Sequence, residues 1–273
     1  ARGRGRNTGT MTSTGMTEAS SATATRHLVD IDDLSDEHLR TILDRALALA
    51  RGAEPSTGAR GRVLVNLFYE PSTRTRVSFE MAALRLGMEV VNVAAADSAV
   101  KKGESLLDTF STLQAMAPDV VVVRHPRDDA LESVRRACLP EVHLVNAGTG
   151  RRAHPTQALL DAVTLRSNFD DLAGLRVLLA GDLHHSRVAR SGVALMRRLP
   201  VAEIRLCAPP GLEADDELAA GARVFTDLDQ AIAGVDVVMM LRIQRERLEG
   251  AVLPAERQYH RDWGLTPERL ALA

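Results

Sequence analysis

A chain of 273 residues has room for about two domains of ~100–200 residues each. Apolar residues make up 45% of it but aromatics only 3%, so its cores must be aliphatic. The formal net charge is −2, with both signs mixed along the chain, and no apolar run approaches the ~18 residues of a membrane span. Neither nucleic acid nor a membrane is therefore an expected partner. The N-terminus lacks the apolar stretch of a secretory signal, and Cys138 and Cys207 form no CxxC pair. The expected location is the cytoplasm, with both cysteines as reduced, partly buried thiols. The basic residues are 32 arginines and only two lysines, Lys101 and Lys102. A lysine that persists against such a skew marks a place for a compact, mobile ammonium rather than a planar fork.

In chain order, residues 1–25 carry Gly, Ser, Thr, Ala and Arg without periodicity and are expected to form a disordered tail. Ser35, with His38 three residues on, opens an amphipathic helix through Leu39, Ile42, Leu43, Ala46 and Leu47. Strand and helix patterns then alternate. Residues 63–68 read as a buried strand. Residues 72–86 read as a helix with Phe79, Ala82, Ala83 and Leu86 inward and Gly87 as its stop. A strand at 90–93 and a helix at 106–116 follow. The valines of 119–123 suit a parallel strand covered on both faces, and another strand lies at 142–145. A helix opening at Pro155 bridges to a second series, with strands at 176–180, 204–207, 224–225 and 235–241 and helices near 188–198, 216–220 and 228–233. The fold class is α/β: two domains, 26–153 and 154–273, each a parallel sheet flanked by helices, joined by bridging helices. Ligands of such sheets bind beyond the carboxyl ends of the strands.

The chemistry-bearing residues fall at those ends. The first strand runs into Glu70-Pro71-Ser72-Thr73-Arg74-Thr75-Arg76, where helix-start N–H groups, hydroxyls and a guanidinium form a phosphate cradle. It is neither a GxxxxGK[ST] loop nor a GxGxxG turn. The next strand leads to Ser98 and Lys102, a hydroxyl and an ammonium four residues apart. The valine strand ends at Arg124, and the following one at Asn146-Ala147-Gly148, ahead of His154-Pro155-Thr156-Gln157. A helix N-terminus disfavours protonation of His154 and keeps it a neutral donor, with the Gln157 amide one turn on. In the second half, Arg187 and Arg242 are the cations best placed to grip carboxylates, with Gln244 beside them. Adjacent His184 and His185 diverge and have no further ligand at metal spacing, so no metal is expected. Cations, hydroxyls and one histidine suit polyanionic substrates and a reaction driven by orientation and oxyanion stabilisation.

Phe68-Tyr69-Glu70-Pro71-Ser72-Thr73-Arg74-Thr75-Arg76 and His154-Pro155-Thr156-Gln157 resemble the two signatures of the aspartate/ornithine carbamoyltransferase family, over a span from about His27 to about Arg269. Gly181-Asp182-Leu183, Ser186-Arg187-Val188-Ala189-Arg190 and the run from Met239 to Arg247 are similar to its aspartate branch. The resemblance implies transfer of a carbamoyl group from carbamoyl phosphate to the amine of L-aspartate, with no cofactor. It implies that Ser72, Thr73, Arg74 and Thr75 hold phosphate and that Thr75, Arg124, His154 and Gln157 address the carbamoyl group. Arg187, Arg242 and Gln244 would bind aspartate, Glu70 would pair with second-domain arginines on closure, and Ser98 and Lys102 would reach a neighbouring subunit's site in a homotrimer. Whether regulatory or dihydroorotase-like subunits join that trimer is left open. The alternative is a non-catalytic homologue serving as a scaffold, which loss of site residues would mark; none of the matched residues is lost. The resemblance also implies a further strand and a closing helix beyond Ala273, so the 273 residues are expected to be a fragment, poorly stable and weakly active alone.

Overall fold

The computed structural model describes residues 27–94, 105–247 and 256–273. The tail at 1–25 and the loop bearing Ser98, Lys101 and Lys102 lie outside the described residues. The first half comprises α1 (Asp36–Ala50), β1 (Val63–Phe68), α2 (Thr73–Arg85), β2 (Glu89–Ala94), α3 (Leu106–Gln114), β3 (Val120–His125), α4 (Ala130–Ala137) and β4 (His143–Thr149). The helix α5 (Pro155–Asn168) leads to β5 (Arg176–Ala180), α6 (Arg187–Met196), β6 (Glu203–Cys207), α7 (Asp216–Ala219), β7 (Arg223–Phe225), α8 (Leu228–Ile232) and β8 (Val237–Met240). The short helices α9 (Glu256–Trp263) and α10 (Pro267–Leu270) come last.

Two four-stranded parallel sheets result, ordered β2-β1-β3-β4 and β7-β6-β5-β8. The valine strand behaves as its composition demands. Val121 and Val123 pack into one face of the first sheet and Val122 into the other, all fully buried. The second sheet is likewise sandwiched, with Val177 and Leu179 on one side and Leu178 and Ala180 on the other. The scarcity of aromatics leaves both cores to Leu, Val, Ile and Ala, with Phe110 the one aromatic among the largest fully buried side chains. Each buried Val or Leu contributes about 1.5–3 kcal/mol. Between the sheets, Leu39 and Leu43 of α1, Ala158, Leu159 and Ala162 of α5, and Leu195 of α6 form one cluster, so α5 is held from both sides.

Several elements differ from the sequence reading. β4 extends to Thr149, so Asn146, Ala147 and Gly148 lie inside the strand rather than beyond it. Asn146 is buried and serves the backbone, donating to Val29 O and accepting from Gly148 N and Thr149 Oγ1. Ala82 of α2 faces solvent, leaving Ala83, Phe79 and Leu86 as its inner contacts. Helices α4, α9 and α10 are additional.

Candidate active site

In each sheet the strand order reverses between two neighbours that leave in opposite directions: β1 and β3 in the first, β5 and β8 in the second. At such a reversal the connections diverge and leave a crevice at the carboxyl ends. The segments beyond these four strands converge on one cavity of about 500 Å³. Ser72, Arg74, Thr75, Arg124, His154, Gln157, Arg187, Arg242 and Gln244 all line it. Thr73 starts α2 and is exposed, outside the lining. Ser98 and Lys102 fall outside the described residues.

Ser72 occupies the N-cap position of α2, yet its hydroxyl makes no capping bond. Both that hydroxyl and the helix's first N–H groups are thus left to serve an anion. No acidic residue occupies the first turn, and Arg74 pairs with no carboxylate among the described residues. Behind this cradle, Glu70 collects three arginines. Its Oε2 lies 3.1 Å from Arg124 Nε, as an ion pair not aligned for a hydrogen bond, and accepts from Arg187 Nη2 at 3.0 Å. Its Oε1 accepts from Arg247 at 3.5 Å. One carboxylate cannot neutralise three guanidiniums, so the cavity wall keeps a positive excess. Burial, and then the charge of Arg187, lowers the Arg124 pKa to about 10, which leaves it charged at neutral pH. Arg124 also donates to Ala147 O and Arg187 to Gly150 O, fixing both planes.

His154 caps α5, its N–H donating to Ser191 Oγ at 2.9 Å and its Nδ1 lying 3.3 Å from Thr156 Oγ1. Burial, and then the charges of Arg187 and Arg124, lower its pKa to about 3. The sequence reading of a neutral imidazole gave the helix end as the cause; desolvation and two arginines dominate instead. Because the folded value lies below the ordinary 6.5, the stability it contributes is full above pH 6.5. That stability is lost as pH falls towards the folded value, by up to about 1.4 kcal/mol per pH unit. His154 ring nitrogen shifts in an NMR titration are expected to stay constant from pH 8 to 5; a midpoint near 6.5 would contradict this electrostatic account.

Three contributors were missed from sequence: Arg247, Asp182 and His185. Asp182, wholly buried after β5, accepts from His185 N, His185 Nδ1 and Gln244 N at 3.0–3.1 Å. His185 O in turn accepts from Gln244 Nε2 at 2.8 Å and Arg247 Nη1 at 3.1 Å. These bonds shape the segment carrying Arg242 and Gln244. Gly181 is required at its start: with φ +125°, an added Cβ would lie 2.4 Å from Leu241 O. A second concavity of about 310 Å³, lined by Asp30, Asp128, Arg151, Arg152, Arg190 and Asp215, is a poorer anion site. Three of its arginines are paired with carboxylates, Arg190 with Asp215, Arg151 with Asp128 and Arg152 with Asp30, and Arg197 donates to the backbone carbonyls of Glu217, Leu218 and Ala220.

Fold and cavity define a two-sheet α/β protein with an arginine-lined cavity between its switch points. Residues 26–167 match the family model described as aspartate/ornithine carbamoyltransferase, carbamoyl-P binding domain. The aspartate carbamoyltransferase catalytic subunit of Methylorubrum extorquens (strain PA1) is 47% identical over 252 residues, covering 91% of this chain and 79% of that one. The structure of Trypanosoma cruzi aspartate transcarbamoylase in complex with carbamoyl aspartate and phosphate superposes with a TM-score of 0.77 at 30% identity, over 91% of this chain and 81% of that one. Ornithine carbamoyltransferase from Thermus thermophilus superposes with a TM-score of 0.78 at 28% identity, over 90% and 81%. The chain belongs to the aspartate/ornithine carbamoyltransferase family.

Proposed function

We propose that this chain transfers the carbamoyl group of carbamoyl phosphate to the amine of L-aspartate, giving N-carbamoyl-L-aspartate and phosphate. The observation that carries the reading is the single cavity with a helix N-terminus and hydroxyls on one wall and arginines from the second sheet on the other. Ser72, Arg74 and Thr75 hold the phosphate with hydroxyl and guanidinium donors, and Thr73, whose side chain lies outside the lining, adds its N–H at the helix start. The deprotonated aspartate amine adds to the carbamoyl carbon, and negative charge builds on the carbonyl oxygen beside Arg74, Thr75, Arg124 and His154. The C–O bond to phosphate then breaks, and the departing phosphate takes the amine proton. A neutral His154 serves this step as a hydrogen-bond donor through its single ring N–H and keeps that proton throughout. Glu70 keeps Arg124, Arg187 and Arg247 together where the two sheets face each other.

Arg187, Arg242 and Gln244 bind the aspartate. Two arginines favour a dicarboxylate and oppose a diamino acid, and the 47% identity to an aspartate carbamoyltransferase supports the same choice. Transfer assays with carbamoyl phosphate and either L-aspartate or L-ornithine test it directly: turnover is expected with aspartate alone. Arg242→Ala is expected to raise the aspartate KM by ~10–100-fold, the loss of one charge-assisted pair, with carbamoyl phosphate binding nearly intact. Loss of carbamoyl phosphate binding instead would overturn the division of labour between the sheets.

The working assembly is a cytoplasmic homotrimer in which Ser98 and Lys102 enter a neighbour's cavity. On α2, Val77, Met81 and Leu84 recur at helical spacing and are 43–54% exposed, and Val91 is exposed on β2, the sheet's edge strand. An apolar face beside an open edge suits a second copy of the chain. The residues bearing Ser98 and Lys102 follow directly from β2.

A further inference from the structure

Gln157 lines the cavity from the first turn of α5, beside His154. One turn on, its Nε2 donates to Asp161 Oδ1 at 2.9 Å. Positions four apart on a helix lie on one face, so this contact follows from the sequence spacing. An ionised carboxylate can only accept, so this bond requires the NH2 side of the Gln157 amide. The amide is planar with its oxygen opposed to its nitrogen. With Nε2 engaged by Asp161, Oε1 is the amide atom left to meet a ligand in the cavity that Gln157 lines. Among the cavity-lining side chains named above, Arg74, Arg124, Arg187 and Arg242 can only donate. An acceptor set among them reads a feature those cations cannot: a ligand NH2.

Asp161 has little structural reason to be there. It is half-buried, and its second oxygen, Oδ2, is buried without a partner among the described residues. Burial also raises its pKa, so the carboxylate is held at a cost. Buried polar atoms are normally paired, and an exception calls for a function.

We propose that Asp161 is a positioning residue that acts through Gln157, locking the amide with its oxygen towards the cavity so that the site selects the NH2 end of carbamoyl phosphate. The inference rests on the carbamoyl-transfer reading above. Acetyl phosphate, which carries a methyl where carbamoyl phosphate carries NH2, probes it. The KM for carbamoyl phosphate and the inhibition constant of acetyl phosphate are measured for the wild type, Asp161→Ala, Asp161→Leu, Asp161→Asn, Gln157→Ala and the double variant Gln157→Ala/Asp161→Ala. Asp161→Ala and Asp161→Leu are expected to raise the carbamoyl phosphate KM about tenfold, the worth of one charge-assisted bond. The acetyl phosphate constant and the aspartate KM should stay nearly unchanged. Asp161→Asn, which can still accept, should recover most of the loss. The double variant should be no worse than Gln157→Ala, and melting temperatures should be unchanged or higher, since an unsatisfied buried carboxylate is gone. Additive losses in the double variant, or equal weakening of both phosphates, would overturn the proposal. So would wild-type discrimination in whichever of the Ala and Leu variants folds, or failure of both to fold, since Asp161 would then be structural. Absence of carbamoyl transfer by the wild type would instead remove the reading on which the proposal rests.

Discussion

Arg74→Ala and Lys102→Ala are each expected to be nearly inactive, and mixed trimers of the two to regain part of the activity. Arg74 lies on the cavity wall at the start of α2. Removing a preorganised donor of this kind costs ~10²–10³-fold or more in turnover. In sequence, Lys102 comes eight residues after β2, the edge strand of the first sheet, and α2, the helix before β2, carries an exposed apolar face. If Lys102 acts in a neighbour's cavity, each site draws Arg74 from one chain and Lys102 from the next. Random assortment around a three-fold ring then makes roughly one site in four intact over the whole mixture, and about one in three within the mixed trimers. Denaturing and refolding an equimolar mixture, isolating the mixed trimers by a charge tag and assaying them is the measurement. If mixed trimers are confirmed and no activity returns, both residues serve the same chain and the shared site is wrong.

The legible part of the molecule was its alternation. Runs such as Val120–Val123 and Arg176–Ala180 declare buried parallel strands without further information, and strand exits mark where donors gather. The short helices α4 (eight residues) and α10 (four) were not read, since so few turns leave a 3.6-residue period faint, although the equally short α7 and α8 were expected. The contacts that organise the site were also hidden. Glu70 meets Arg247 across 177 positions, and nothing local to either residue announces it. Arg247 sits three residues after Gln244 in the same basic segment, a signal that was available, but its direction towards Glu70 depends on Asp182 and His185 holding the backbone beyond β8. Asn146 misled for the opposite reason. A polar residue near a strand's end resembles a ligand donor, whereas here it satisfies the backbone of Gly148, Thr149 and Val29.

Gly148→Ala is expected to lower kcat/KM by ~10²-fold or more while leaving the protein folded. Gly148 has φ +115°, and a Cβ there would lie 2.9 Å from Arg187 Cζ and 3.1 Å from Arg124 Nη1. Both guanidiniums cross the bare glycine to reach Glu70, so the missing side chain is what lets two like charges share one carboxylate. The obstructed atoms are the ends of flexible side chains, which can swing aside. The fold therefore loses only backbone strain, on the order of 1–3 kcal/mol, or roughly 3–10 °C in melting temperature. The chemistry is expected to lose more, because moving these arginines displaces together the donors that the proposed function assigns to the carbamoyl group and to aspartate. Gly174→Ala is the control: its φ is +90°, and an added Cβ meets nothing within 4 Å. It should show a comparable drop in melting temperature with kcat/KM almost unchanged. If Gly148→Ala keeps near-wild-type activity, the placement of Arg124 and Arg187 does not depend on the open backbone at Gly148. If the two variants lose activity in proportion to stability, strain alone accounts for both.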